Sequence, residues 1–187
     1  CHCINSCRTV TSPNSVTVTV NNRPIVAPGS TANAICTGGS ATISANAQAG
    51  SGTISSYAWN TGIVGNLSGG TVSPASTTTY TVTVTNSNNC TASGNVSITV
   101  NAPPTVNLTA SPQTLCAGQS TTLNSGASAG SGTISNYTWS EGLGNVSSGN
   151  FSPVNTSNIA VTVSNSNNCT ATGSVLVTVN DVPSVAP

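Results

Sequence analysis

Seven cysteines and a single histidine are the most reactive side chains in this sequence, and their spacing limits what they could do. Cys1, His2, Cys3 and Cys7 fall within the first seven residues and offer four potential zinc ligands. A structural zinc site spaces its ligands as a Cys-x2–4-Cys pair with a second pair farther along the chain. This cluster is more cramped than that, so the expectation is disulfide-forming cysteines and no metal. Cys36, Cys90, Cys116 and Cys169 are the other candidates for disulfides. Cysteines with so few metal-ligating neighbours point to an oxidising, extracellular compartment.

Catalysis finds no foothold. Arg8, Arg23, Glu141 and Asp181 are the only charged side chains, and there is no lysine. A nucleophile needs a base and an orienting partner within hydrogen-bond reach, which one histidine and two acids cannot supply in any one domain. No catalytic residue and no cofactor are expected. Two arginines cannot neutralise a run of phosphates, which excludes nucleic acid as a partner. A polybasic contact with a membrane surface fails for the same reason. No apolar run is long enough for a membrane helix, no signal peptide is visible, and the chain opens on Cys1. Nine Asn-x-Ser/Thr acceptor sites occur; about eight are expected by chance from this composition, so they carry no information.

The elements that hold these residues are set by an internal repeat, the feature to seek first in any sequence. Residues 49–55 and 129–135 both read AGSGTIS, and residues 86–92 and 165–171 both read NSNNCTA. Tyr57-Ala58-Trp59 answers Tyr137-Thr138-Trp139. Cys36 maps to Cys116 and Trp59 to Trp139 at an offset of 80, and Cys90 maps to Cys169 at 79. Two domains follow, at 23–101 and 102–180, with the Pro103-Pro104 pair marking a stiff joint. Val16, Val18 and Val20 match the last strand of each domain, Val96, Ile98, Val100 and Val175, Val177, Val179. Residues 1–22 therefore read as the remnant of a preceding repeat and 181–187 as a link into a following one.

Each repeat shows short period-two strands punctuated by Gly, Asn, Ser and Pro, and no window has helical apolar spacing. In the first, Tyr80, Val82 and Val84 alternate with threonines, and Ser87-Asn88-Asn89 turns the chain into a hairpin. The expected fold is all-β: tandem immunoglobulin-like β-sandwiches, with Trp59 and Trp139 in the cores. Glu141 is expected to be a lone surface carboxylate. Two disulfide patterns remain open. Recurrence in every repeat favours pairing within each domain, Cys36 with Cys90 and Cys116 with Cys169. An up-and-down strand count, however, puts those partners at opposite poles, beyond the roughly 7 Å between Cα atoms that a disulfide tolerates. Cys36–Cys169 across the joint is the alternative.

The pattern Cys-x-Gly-x-Ser, Tyr-x-Trp, then Tyr-Thr-Val-Thr-Val-Thr-Asn-x-Asn-x-Cys-Thr-Ala resembles the Ig-like and PKD-like repeats of large Bacteroidota surface proteins, gliding-motility adhesins among them. The resemblance implies secretion through the type IX system and display at the cell surface. PKD domains often carry Asp-rich loops, whereas Glu141 is the only acid inside either domain here, so no calcium site is expected. The expected function is a non-catalytic stalk or filament segment whose partners are neighbouring repeats or identical subunits, with surface glycans or other cells as further partners. The alternatives are a polymerised fibre, with residues 15–22 as donor strand, and a glycan- or protein-binding adhesin contacting its ligand through 62–74 and 142–153.

Overall fold

The computed structural model describes residues 17–182. Among them there is no helix, as the alternating pattern requires. The first unit runs β1 (Ile25–Val26), β2 (Gly29–Ser30), β3 (Ala34–Cys36), β4 (Ala41–Ser44), β5 (Ala47–Gln48), β6 (Ile54–Trp59), β7 (Gly69–Val72), β8 (Thr78–Asn86) and β9 (Thr91–Asn101). The second runs β10 (Thr109–Ser111), β11 (Thr114–Cys116), β12 (Thr121–Asn124), β13 (Ile134–Trp139), β14 (Ser148–Phe151), β15 (Ser157–Asn165) and β16 (Thr170–Asn180).

The two units share a topology. A four-stranded sheet, β3-β9-β8-β6 or β11-β16-β15-β13, faces a three-stranded one, β2-β4-β7 or β10-β12-β14. The hairpins β8–β9 and β15–β16 are the longest antiparallel pairings, in registers that run from Thr78↔Ile98 to Thr85↔Thr91 and from Ser157↔Val177 to Ser164↔Thr170. Their turns place Asn89 at φ 58° and Asn168 at φ 60°, a left-handed conformation that asparagine tolerates better than other non-glycine residues. By contrast, β3 and β11 run parallel to the ends of β9 and β16, pairing Cys36 with Asn101 and Cys116 with Asn180.

Alternation buries one face of each long strand. In the first unit Tyr80 and Ile98 pack with Ile43, and Val82 and Val84 pack with Ala45; in the second Ile159, Val161, Val163 and Val177 pack with Leu123. Each such side chain contributes on the order of 2 kcal/mol by leaving water. Trp139 is buried and Trp59 half-buried, and each donates its indole N–H to a backbone carbonyl, Val146 at 2.9 Å and Leu67 at 3.1 Å. Those bonds tie the segment before β7 or β14 down onto the sandwich. Segments 62–74 and 142–153 are therefore only partly loop, since β7 and β14 lie within them.

Candidate functional site at the joint

Among the described residues, a covalent cross-link lies where the two sandwiches meet. Cys36 and Cys169 form a disulfide, with Cα atoms 5.7 Å apart and 133 residues between them in sequence. This corrects the expectation of pairing within each domain. Cys36 aligns with Asn101, the last residue of β9, whereas Cys90 immediately precedes Thr91, the first. Eleven extended residues separate those two ends, about 33 Å at the rise of a β-strand, far beyond disulfide reach. Cys116 and Cys169 stand at the two ends of β16 in the same way. Cys90 and Cys116 are free thiols among the described residues, half-buried and exposed respectively.

Asparagines that the sequence reading did not single out organise this joint. Asn165, at the end of β15, is fully buried. Its Nδ2 donates to the carbonyls of Ala102 (3.2 Å) and Ala129 (3.0 Å), and its Oδ1 accepts from the backbone N–H groups of Asn167 (3.1 Å) and Cys169 (3.0 Å). One amide thus binds the joint residue Ala102, the AGSGTIS segment and the turn that carries the bonded cysteine. The Ala102 N–H also donates to Ser131 Oγ at 2.9 Å, and the Ser131 N–H returns a bond to the Ala102 carbonyl at 3.1 Å. Gly130 sits at φ +67°, and a Cβ there would collide with the Pro103 carbonyl oxygen. AGSGTIS is therefore a socket for the chain passing between the sandwiches, which explains why it recurs unchanged. The Cys169 Sγ lies 3.9 Å from the carbonyl oxygen of Asn101, so both bonded cysteines flank the same residue.

The first sandwich builds the corresponding socket around residues 21–22, with one further donated bond. Fully buried Asn86 donates to the Asn22 carbonyl at 3.1 Å and to Ala49 and Ser51 at 3.0 Å, and accepts from Asn88 and Cys90. The Asn22 N–H donates to Ser51 Oγ at 2.8 Å, and the Cys90 Sγ lies 3.9 Å from the Asn21 carbonyl oxygen. The signal for this hub was present in the sequence as the first Asn of the repeated NSNNCTA. Nothing in its spacing distinguished a buried asparagine from a turn one.

Glu141 accepts a hydrogen bond from the neighbouring Ser140 hydroxyl at 3.3 Å, and Ser140 Oγ in turn accepts from the Ala160 N–H at 3.1 Å. Cys1, His2, Cys3 and Cys7 lie outside the described residues, as do most of 181–187. Among the described residues, no three His, Cys, Asp or Glu side chains gather to hold a metal ion. A shallow depression lined by Pro112, Gly118, Gln119, Ser120 and Ser152 presents hydroxyls and one amide, with no titratable group.

No protein-family model matches the chain, and no curated protein sequence does either. Solved structures do. The chain superposes on the N-terminal eight Ig domains of Down Syndrome Cell Adhesion Molecule (DSCAM) isoform 1.30.30 with a TM-score of 0.63 at 16% identity. The match covers 84% of this chain and 27% of that one, so the chain spans about a quarter of its neighbour. Looser likenesses include Sidekick-1 immunoglobulin domains 1–4 (TM-score 0.44, 14% identity, 87% of this chain and 51% of that one). The fibronectin(III)-like modules of Clostridium thermocellum CbhA are similar at TM-score 0.41 and 16% identity, over 84% of this chain and 94% of theirs. The fold is a tandem array of immunoglobulin-like β-sandwiches.

Proposed function

We propose that this chain is a non-catalytic structural segment of a secreted bacterial cell-surface protein, a stalk or filament of Ig-like repeats of the Bacteroidota adhesin type. The repeats divide at 23–101 and 102–180, with residues before and after belonging to neighbouring repeats. The observation that carries this reading is the Cys36–Cys169 bond. A disulfide inside a domain stabilises that domain alone, whereas one across a joint fixes two domains to each other. Such a bond suits a molecule whose task is to hold length and direction under load. Its survival requires the oxidising conditions found outside the cell.

Pulling on the ends of single molecules tests this directly. Force entering at residue 17 and leaving at residue 182 crosses the staple, so the 133-residue separation between its cysteines stays hidden. At about 3.4 Å per extended residue, roughly 450 Å of contour length should be absent under oxidising conditions and appear after reduction. Equal contour lengths in the two states would reject the load-bearing role of the joint.

One observation favours a polymerised fibre as the second reading. Residues 17–22 belong to no sheet among the described residues, and Val18 and Val20 are exposed. They could complete the sheet of another subunit. Against that, β9 and β16 already occupy the matching position in both sandwiches.

A further inference from the structure

Cys90 and Cys116 are the two free thiols of the described residues, and they stand at opposite poles of the two-sandwich unit. We propose that they are the open halves of the same staple seen at the internal joint. Cys116 takes the Cys169-type cysteine of a following repeat, and Cys90 takes the Cys36-type cysteine of a preceding one, each carried on the same polypeptide. This deepens the stalk reading and rests on it only for the existence of neighbouring repeats.

The internal joint supplies the template. There, one residue of the connecting chain, Asn101, is flanked by both partners: Cys36 in parallel register beside it, and Cys169 Sγ 3.9 Å from its carbonyl. Asn180 has the first half of that arrangement, since Cys116 is its register partner and its carbonyl accepts the Ala117 N–H at 3.0 Å, as that of Asn101 accepts the Thr37 N–H at 2.9 Å. Asn21 has the second half, with Cys90 Sγ 3.9 Å from its carbonyl. Each end of the unit therefore holds one cysteine and the backbone that should carry the missing one alongside it.

Burial gives an independent argument. Val18 is 79% exposed, whereas its counterparts Ile98 and Val177 are both fully buried at 0%. Val20 is 84% exposed, and its counterparts Val100 and Val179 are half-buried. Residues 17–21 thus carry the pattern of a last strand but pack against no core among the described residues. In the register of β3 on β9, a preceding sandwich would bring its own Cys36-type residue opposite Asn21, within reach of Cys90. Cys116 is exposed where its counterpart Cys36 is half-buried, which fits a thiol still waiting for its cover.

A separate copy of this chain fits the site poorly. Asn101 serves both cysteines at once because the chain is continuous through the joint. Two separate copies would bring Asn180 of one and Asn21 of the other to the same place. Cys116 also lies inside the loop closed by Cys36 and Cys169 while its partner lies outside it, so successive staples interlock along the array. Each bond forms by thiol–disulfide exchange with a small-molecule disulfide such as oxidised glutathione: two thiols lose their protons, one S–S bond forms, and two molecules of reduced glutathione leave.

The test is the chain with residues 181–187 replaced by a second copy of residues 102–180, refolded with oxidised and reduced glutathione and alkylated with iodoacetamide. Non-reducing peptide mapping should link Cys116 to the appended copy of Cys169 and leave Cys116 unalkylated. In the unextended chain Cys116 should be alkylated and the protein should remain free of disulfide-linked multimers. A Cys116→Ser variant of the extended chain should expose the appended Cys169 to alkylation while leaving Cys36–Cys169 intact. A matching extension placing residues 23–96 ahead of Thr17 should bond Cys90 to the appended copy of Cys36 and protect the Val18 and Val20 amides from hydrogen exchange. The assignment fails if Cys116 stays alkylatable in the extended chain, or if the appended repeat does not fold. It fails equally if the unextended chain forms Cys116–Cys90 links between molecules.

Discussion

Removing the Asn165 amide should loosen the second sandwich and the joint together. The side chain is fully buried and makes four hydrogen bonds, two donated and two accepted. Each neutral bond contributes about 1 kcal/mol net, which gives about 4 kcal/mol for the set. Some of the abandoned backbone groups lie near the surface and regain water, so about 3 kcal/mol is expected for Asn165→Ala. Asn165→Asp keeps the shape and both accepted bonds but aims a carboxylate oxygen at the Ala102 and Ala129 carbonyls. Burial and those two dipoles raise the folded-state pKa above the unfolded value of about 3.9. A raised folded pKa contributes stability that is fully present below the unfolded pKa and lost as pH rises through the folded one. The aspartate variant should therefore approach the parent near pH 3 and fall below it progressively toward neutrality. The measurement is guanidinium denaturation followed by Trp139 fluorescence in a Trp59→Phe background, from pH 3 to pH 7. An alanine loss under about 1 kcal/mol, or an aspartate deficit independent of pH, would refute the buried-hub reasoning.

Three further perturbations read other parts of the same architecture. Gly130→Ala and Gly142→Ala both place a Cβ at positive φ, at +67° and +70°, but only the first meets a backbone carbonyl while the second meets open space. Thermal unfolding should show a cost of about 1 kcal/mol for Gly142→Ala and at least twice that for Gly130→Ala; equal effects would remove the socket. The Cys36→Ser, Cys169→Ser double variant opens a loop with a 133-residue separation, for which chain entropy sets a ceiling of about 5 kcal/mol. Its unfolding midpoint should drop and its small-angle scattering should show a broader distribution of distances, whereas unchanged scattering would mean that the asparagine socket alone fixes the joint. Asn66→Ala with Asn145→Ala strips the side chains that bond the edge-strand N–H groups of Tyr57 (2.6 Å) and Tyr137 (2.8 Å). Light scattering on heating should reveal faster aggregation, and no change would show that these edges need no cover.

The period-two runs made the long hairpins legible because β8, β9, β15 and β16 bury one face each, so valine and threonine had to alternate. The repeat made the tandem architecture legible for the same reason: two copies of one core need two copies of one pattern. What stayed hidden were relations between strands distant in sequence. Nothing local shows that β3 runs parallel to the end of β9, yet that register alone places Cys36 at the joint and Cys90 a strand's length away. Recurrence of the cysteines in each repeat suggested self-contained pairs, but a bond between successive repeats recurs with the same period. Asn86 and Asn165 were missed because burial, rather than residue type, distinguishes a hub from a turn.

The near absence of charge has a structural counterpart in how the outer surfaces and edges are finished. Natural sheets commonly protect their edges with lysine, proline or a bulge, and this chain has no lysine. Along the exposed faces, hydroxyls pair across strands instead, Thr83 with Ser93 and Thr162 with Thr172, each at 2.9 Å. Such pairs contribute a few tenths of a kcal/mol each and are insensitive to salt, unlike ion pairs. At the β6 edge the Asn66 side chain accepts from the Tyr57 N–H at 2.6 Å and donates to the Ser55 carbonyl at 3.1 Å, standing in for one residue of a neighbouring strand. The register of β6 shifts beside that contact, between Ile54 and Ser56, and β13 shifts likewise between Ile134 and Asn136. An incoming strand thus finds the edge both bent and already bonded. Sideways growth is discouraged by asparagine and bulge, while lengthwise connection is reinforced by a disulfide. That asymmetry supports the proposed stalk, and it is written in the neutral residues.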